Sequence, residues 1–145
     1  MREPSHLPRV GVGAVIWRGR EVLLVRRKKE PRQGEWSIPG GAQEVGETVM
    51  EALLREVREE TGLTIAVLGL VDVVDAMFRD PKGAMSHHFT LIDFSARPIA
   101  GEAKAGDDAA ELRWVALEDV PRYRLWSETS RIIEKSARLH GPLSG

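Results

Sequence analysis

Three glutamates near the end of one predicted helix are the residues best suited to chemistry. At 3.6 residues per turn, Glu56 and Glu60 continue an apolar stripe that begins at Val49. Glu59 lies beside them, so three carboxylates are expected to converge on one patch. Carboxylates that close repel one another strongly unless a positive group lies between them. Mg²⁺ or Mn²⁺ meets that need, since both prefer oxygen ligands and add waters and substrate phosphates to their coordination shell.

A solvated, ion-paired helix face is the competing interpretation of these residues. Arg55 has Glu51 four residues before it and Glu59 four residues after it, the spacing of surface ion pairs on a helix. The longer segment GAQEVGETVMEALLREVREETGL argues for the metal site. In this segment five residues separate Gly41 from Glu47, and seven separate Glu47 from the pair Arg55 and Glu56. Apolar Val57 follows, then one residue, the pair Glu59 and Glu60, one residue, Gly62 and apolar Leu63.

This segment, Gly41–Leu63, resembles the signature of the Nudix hydrolases at every defining position. The resemblance implies an α/β fold, a Nudix-type α/β/α sandwich in which a mixed sheet is flanked by helices. It also implies Mg²⁺- or Mn²⁺-dependent hydrolysis of the pyrophosphate bond of a nucleoside diphosphate linked to another moiety. The residues that it assigns as metal ligands are Glu56, Glu59 and Glu60, with the Gly41 carbonyl as a further ligand.

The resemblance assigns supporting and proton-accepting roles as well. Arg55 and Glu47 are expected to pair and to brace the preceding loop against the helix. Members of the family use either a glutamate of the signature, here Glu59, or an acid from a downstream loop as the general base. In that loop Asp108 is the first choice and Glu111 the second. Ordinary turn chemistry before a strand explains these two acids equally well.

Two residues outside the segment are candidates for substrate contacts. Arg26 and Arg27 end a predicted strand on opposite faces, and Arg27 shares its face with Leu23 and Val25. By similarity to nucleotide-binding members of the family, Arg27 is expected to contact a phosphate. Trp36 precedes the Pro-Gly-Gly turn and is expected either to stack on a base or to pack in the core.

The substrate is the least determined property. A proline after the segment, Pro81, loosely matches ADP-ribose pyrophosphatases, and Tyr123, the only tyrosine, lies far from where dinucleoside polyphosphate hydrolases carry one. ADP-ribose or a related nucleotide sugar is therefore the preferred substrate. The alternatives are a mutator-type pyrophosphohydrolase of nucleoside triphosphates and a non-catalytic module that binds a ligand or RNA.

The elements that position these residues follow from periodicity and turn residues. Helices are predicted from Thr48 to Thr61, ended by a left-handed Gly62, and from an N-cap at Ser127 to about Leu139. Strands are predicted over Val10–Trp17, Glu21–Arg27, Ile65–Val74, His88–Ala96 and Leu112–Leu117, with a short apolar stretch at Trp36–Ile38 and a loop over Ala100–Ala110. Strands before and after each helix give an α/β layout with a mixed sheet.

Composition limits the classes of protein that fit. The 145 residues, of which 42% are hydrophobic, suit a single domain over residues 1–145. A formal net charge of −1 gives no sign of a nucleic-acid or membrane surface, and the chain has no cysteine for disulfides or thiolate metal sites. We expect a cytoplasmic protein whose partner is a nucleotide-derived small molecule and which is compatible with a homodimer.

Overall fold

The computed structural model describes residues 7–30, 32–107 and 109–145. The strands in this part of the chain are β1 (Arg9–Arg18), β2 (Glu21–Arg27), β3 (Trp36–Ser37), β4 (Gly40–Ala42), β5 (Thr64–Arg79), β6 (Met85–Ala100) and β7 (Ala109–Ala116). The helices are α1 (Val49–Thr61), α2 (Ser127–Leu139) and a 3₁₀ helix over Leu117–Tyr123.

Strand β1 lies at the centre of a mixed sheet. It pairs in parallel with β6 over residues 9–16 and 89–96, and antiparallel with β2 only beside the Gly19 turn. Farther from that turn the two strands separate, because β1 pairs with β4 while β2 pairs with β3 and β7. The segment from β3 to β4 therefore crosses from one strand of the first hairpin to the other.

The side chains of β1 alternate between two hydrophobic cores. Val15 and Trp17 pack on the side of α2, whereas Val12, Ala14 and Ile16 pack on the side of α1. One helix thus covers each face of the sheet. The predicted α/β/α sandwich with a mixed sheet is confirmed.

Helix α1 ends at Thr61 as the sequence predicts and begins at Val49, one residue after the predicted Thr48, which is its N-cap. The Thr48 hydroxyl accepts a hydrogen bond from the Glu51 amide, and the Glu51 carboxylate accepts one from the Thr48 amide, which completes a capping box. Gly62 ends the helix in the left-handed conformation at φ 77°. These caps fix the rotation and length of the helix that carries the three glutamates.

Several predicted boundaries were wrong. Strands β5 and β6 extend beyond Ile65–Val74 and His88–Ala96, because their backbones keep pairing as a long hairpin after the apolar alternation ends. Strand β7 begins at Ala109 instead of Leu112, inside the predicted loop Ala100–Ala110.

The start of α2 also differs from the prediction. Ser127 is the first helical residue, and Trp126 takes the N-cap position without a side-chain cap. The Trp126 ring packs against Phe78, with 5.6 Å between ring centroids, so an aromatic contact fixes the chain where a hydroxyl cap was expected. Within the described ranges, neither helix is long and apolar enough to cross a membrane.

Candidate active site

Arg55 is the centre of an ion-pair network on α1. Its guanidinium donates to Glu47 at 2.6 and 2.9 Å, to the Ala42 carbonyl at 3.0 Å, to Glu56 at 2.7 Å and to Glu59 at 3.1 Å. These hydrogen bonds lower the pKa of Glu47 to about 2 and raise the pKa of Arg55. Arg55 therefore supplies part of the positive charge that the clustered carboxylates require, in addition to bracing the loop through Glu47.

Two of the three predicted ligands, Glu56 and Glu60, meet the backbone of β4. The Gly40 amide donates to Glu60 at 2.9 Å. A Cβ atom added at Gly41 would overlap the carboxyl group of Glu56, so a glycine at this position leaves the space that the carboxylate occupies. Both glutamates line the main cavity of the protein.

Glu59 is arranged differently. Its side chain is 60% exposed, binds Arg55 and does not line that cavity. In the parts of the chain described here, no group of three or more acidic or histidine side chains is assembled closely enough to hold a metal ion. Glu59 shares the Nη1 atom of Arg55 with Glu56, at 3.1 and 2.7 Å, but lies outside the cavity, and its part in holding a metal stays a prediction.

The carboxylates of the other two glutamates, Glu56 and Glu60, suit a hard divalent cation. Glu56 and Glu60 offer carboxylate oxygens beside the backbone of Gly40 and Gly41. Mg²⁺ is commonly held by one or two carboxylates and completed by waters and substrate phosphates, so two carboxylates at the wall of an open cavity suit it. Glu56 and Glu60 are the residues that would hold it.

The cavity has a volume of about 540 Å³, within the range of small-molecule sites. Arg27 lines it on the same side as Glu60, as the alternation of β2 predicts, while Arg26 faces away and pairs with Glu111 at 3.6 Å. Burial lowers the pKa of Arg27, and Glu60 and Glu35 oppose that change. Arg27 is thus a half-buried cation beside the carboxylates.

The cavity wall carries both cationic and apolar side chains. Lys28 and Lys29 follow Arg27 in the chain and line the cavity with it, whereas Arg32 lies over the aromatic rings of the apolar part. The apolar part is lined by Val74, Ala76, Phe78, Phe89, Leu91 and Trp126. An acidic and basic region thus adjoins an apolar chamber between the sheet and the start of α2.

Trp36 both lines the cavity and packs against the core. Its ring meets Tyr123 edge to face, with 5.3 Å between centroids, and the Arg113 guanidinium lies 5.0 Å from its centroid. Packing against the core is therefore observed, and stacking on a base stays a prediction.

Of the two downstream acids, Glu111 lies in a described part of the chain and Asp108 does not. The segment preceding Asp108 packs against the end of α1, where the Lys104 amide donates to the Thr61 backbone carbonyl at 2.8 Å and the Gly106 amide donates to the Glu60 backbone carbonyl at 2.9 Å. Glu111 pairs with Arg26 and Arg113 and does not line the cavity.

Two cavity residues were missed from the sequence. Arg32 adopts a positive φ of 62°, and its guanidinium lies about 5.5 Å from the ring centroids of both Phe78 and Trp126. Asp93 is buried at 5% exposure and lines the apolar part of the cavity. A lone acid within the apolar run of β6 was the signal for Asp93, while the contacts of Arg32 depend on tertiary structure.

Comparisons with known proteins identify the family. Residues 7–135 match the NUDIX domain family. An ADP-ribose pyrophosphatase from Methanocaldococcus jannaschii is 43% identical over 115 residues, which cover 79% of this chain and 66% of the relative, slightly under two thirds of its length. A putative 8-oxo-dGTP diphosphatase 2 from Mycobacterium tuberculosis is 34% identical over 90% of this chain and 94% of its own. The MutT NUDIX hydrolase of Burkholderia pseudomallei superposes with a TM-score of 0.78 at 34% identity, over 90% of this chain and 98% of that one.

Proposed function

Because this chain belongs to the Nudix hydrolase family, we propose that it hydrolyses the pyrophosphate bond of ADP-ribose or a related nucleotide sugar with the help of Mg²⁺ or Mn²⁺. The observation that carries the proposal is a single cavity with two chemically different parts. Glu56, Glu60 and Arg27 line one part, and apolar side chains line the other. A diphosphate suits the charged part, and a nucleoside suits the apolar part.

The charged part orients the diphosphate. Arg27 is half-buried, so its charge acts on phosphate oxygens with less screening than that of an exposed arginine. Glu56 and Glu60 would hold the cation, which would supply positive charge at the phosphates and make a bound water more acidic. Gly40 fixes Glu60 through its amide, and Arg55 fixes Glu56 through its guanidinium. Both carboxylates are thereby held in place before substrate binds.

The proton of the attacking water needs an acceptor near the end of α1. Gly106 is bound to the backbone of Glu60, and Asp107 and Asp108 follow it directly in the chain. Asp108 is our proposed general base, and Glu59 is the alternative. The ion pairs of Glu111 with Arg26 and Arg113 make it the least suitable of the three acids.

The test is a product assay on the purified protein. ADP-ribose is incubated with MgCl₂, with MnCl₂, or with EDTA, and the products are separated by chromatography. We expect AMP and ribose 5-phosphate with either metal and no turnover with EDTA. Absence of products with both metals would refute the proposed activity.

Matched variants test the assigned ligands. Glu56→Gln and Glu60→Gln remove a charge while nearly preserving shape, and each is expected to lower kcat/KM at least 100-fold. Glu134→Gln, on the exposed surface of α2, is the control and should match the parent. A loss below about tenfold, roughly 1.4 kcal/mol, at both Glu56 and Glu60 would show that they do not hold the metal.

A second candidate activity is pyrophosphohydrolysis of nucleoside triphosphates. It is favoured by the Mycobacterium tuberculosis relative, whose name specifies 8-oxo-dGTP and which this chain covers almost completely. The same assay run with a nucleoside triphosphate in place of ADP-ribose separates the two activities, because a triphosphate would give a monophosphate and pyrophosphate.

A further inference from the structure

Asp93 is a buried acid that the proposed hydrolysis does not use. It lies on β6 with 5% of its surface exposed, and that surface faces the cavity. Among residues 7–30, 32–107 and 109–145, none forms a hydrogen bond or ion pair with its carboxyl group. No fully buried side-chain oxygen or nitrogen among the described residues lacks a partner, so the oxygens of this carboxyl open to the cavity, where a bound molecule can reach them.

The fold makes room for this carboxyl beside β1. Gly13 and Asp93 are partners in the parallel register of β1 and β6. A Cβ atom added at Gly13 would overlap the Asp93 carboxyl and would lie 3.1 Å from Ile38. Any other residue at position 13 would therefore displace the acid, which shows that the carboxyl lies directly over the backbone of β1.

The distance from Asp93 to the charged part of the cavity suits a nucleoside. Gly13 pairs with Asp93 on one side and with Gly40, the residue that binds Glu60, on the other. Two strand spacings separate the backbones of Asp93 and Gly40, roughly 10 Å. That distance is of the same order as the reach of a nucleotide from its first phosphate to its base.

The charges around Asp93 favour its neutral form. Asp72 lies directly opposite it on β5, and Asp72 already binds Arg131 at 3.0 Å and Lys135 at 3.1 Å from α2. Burial raises the pKa of Asp93 to about 7, repulsion from Asp72 adds to the effect, and Arg131 opposes it. Glu128 of α2 is the other acid on this side of the cavity, and the neighbouring part of β1 contributes no charged group.

We propose that Asp93 selects the base of the substrate, with its neutral carboxyl donating one hydrogen bond to adenine and accepting another. This inference rests on the proposed function. A carboxylic acid presents a donor beside an acceptor, and adenine presents a ring nitrogen acceptor beside its amino donor. An ionised carboxylate offers two acceptors, which suit the adjacent N–H groups of guanine instead. The apolar side chains Leu91, Val74 and Ala76 nearby suit the face of a base better than a ribose.

The experiment compares substrates that differ only in the base. kcat/KM is measured for ADP-ribose and GDP-ribose from pH 6 to about 8.5 with the parent, Asp93→Asn, Asp93→Leu and the control Asp75→Asn, an exposed acid on β5. We expect the parent to prefer ADP-ribose about tenfold or more below neutral pH, and the preference to fall as the pH rises. Asp93→Asn keeps one donor and one acceptor at every pH, so its preference should persist without pH dependence. Asp93→Leu should lose the preference, and Asp75→Asn should behave as the parent.

Failure of the inference is distinguishable from failure of the proposed function. If the parent hydrolyses ADP-ribose and Asp93→Leu keeps the base preference within twofold, Asp93 does not select the base although the activity stands. If the parent hydrolyses neither substrate, calorimetric binding of AMP and GMP to the same variants tests the inference directly. Equal affinities of Asp93→Leu and the parent for AMP would then overturn it.

Discussion

Arg55 forms a bidentate ion pair with Glu47, in which Nε lies 2.6 Å from Oε2 and Nη2 lies 2.9 Å from Oε1. The same Nη2 reaches the Ala42 carbonyl at the end of β4, and Nη1 reaches Glu56. One planar side chain thus joins the loop before α1, the last residue of β4 and a candidate metal ligand. A lysine has a single ammonium group and cannot form this set of contacts.

Arg55→Lys is therefore expected to impair activity although it conserves charge. Glu56 would lose its 2.7 Å partner and the loop would lose its double contact, so we expect kcat/KM to fall at least tenfold. Steady-state kinetics with ADP-ribose measure the effect. Arg58→Lys, on the exposed face of the same helix, is the control. Equal activity of Arg55→Lys and the parent would mean that the geometry of the guanidinium is unimportant.

The Arg55–Glu47 pair should also appear in the acid stability of the protein. The folded pKa of Glu47 is about 2, below the ordinary value of 4.5, so its contribution to stability is full above about pH 4.5 and is lost as the pH falls toward 2. Urea unfolding at a series of pH values should show that the stability advantage of the parent over Glu47→Gln shrinks across this range. A stability advantage of the parent that does not change with pH would show that Glu47 does not form this ion pair in the folded protein.

The sequence predicts α1 well and leaves two positions open for Glu59. Local rules predict the helix, because the capping box at Thr48 and the left-handed Gly62 depend only on nearby residues. Periodicity also places Glu56 and Glu60 on one stripe, and both line the cavity. Glu59 forms the ion pair with Arg55 that the competing interpretation predicted, and local spacing alone does not decide between this pair and a metal.

Residues that reach the cavity from distant parts of the chain were harder to predict. Arg27 was placed correctly because strand alternation fixes its face, whereas Trp126 and Asp93 reach the cavity through the packing of α2 and the register of β6. The contact of Trp126 has no local sequence signal, and that of Asp93 is signalled only by a lone acid in an apolar run. The role of each candidate residue in binding or catalysis stays a prediction.

Gly41→Ala should reduce activity by a steric route. The added methyl group would overlap the Glu56 carboxyl group, and Glu56 cannot move far because Arg55 holds it. We expect kcat/KM to fall at least tenfold while the thermal midpoint changes little. The thermal midpoint is the control. If it falls by more than about ten degrees together with the activity, the effect is a general distortion of the strands.

A buried hydroxyl network joins α2 to the sheet and predicts a loss of stability. The Trp17 indole donates to the Ser136 hydroxyl at 2.8 Å, Ser136 lies 2.6 Å from the Ser95 hydroxyl, and Ser95 lies 2.8 Å from His140. Ser136→Ala would leave the Trp17 donor without a partner and should cost about 1–3 kcal/mol of unfolding free energy. Urea denaturation measures the change, and the exposed Ser130→Ala is the control. An unchanged free energy of unfolding would show that another group satisfies Trp17.

Asp93 should make the protein less stable as the pH rises. Its folded pKa of about 7 lies above the ordinary 3.8, so between these values the unfolded chain releases a proton that the folded chain keeps. The free energy of unfolding of the parent, relative to that of Asp93→Asn, should therefore fall by up to a few kcal/mol from about pH 4 to pH 7. Above about pH 7 the difference between the two proteins should be constant. Urea unfolding of both proteins between pH 4 and about 8.5 measures the difference, and Asp75→Asn serves as the exposed control. A difference that is constant over the whole range would show that the Asp93 carboxyl ionises normally, and would remove the reason to expect pH-dependent base selection.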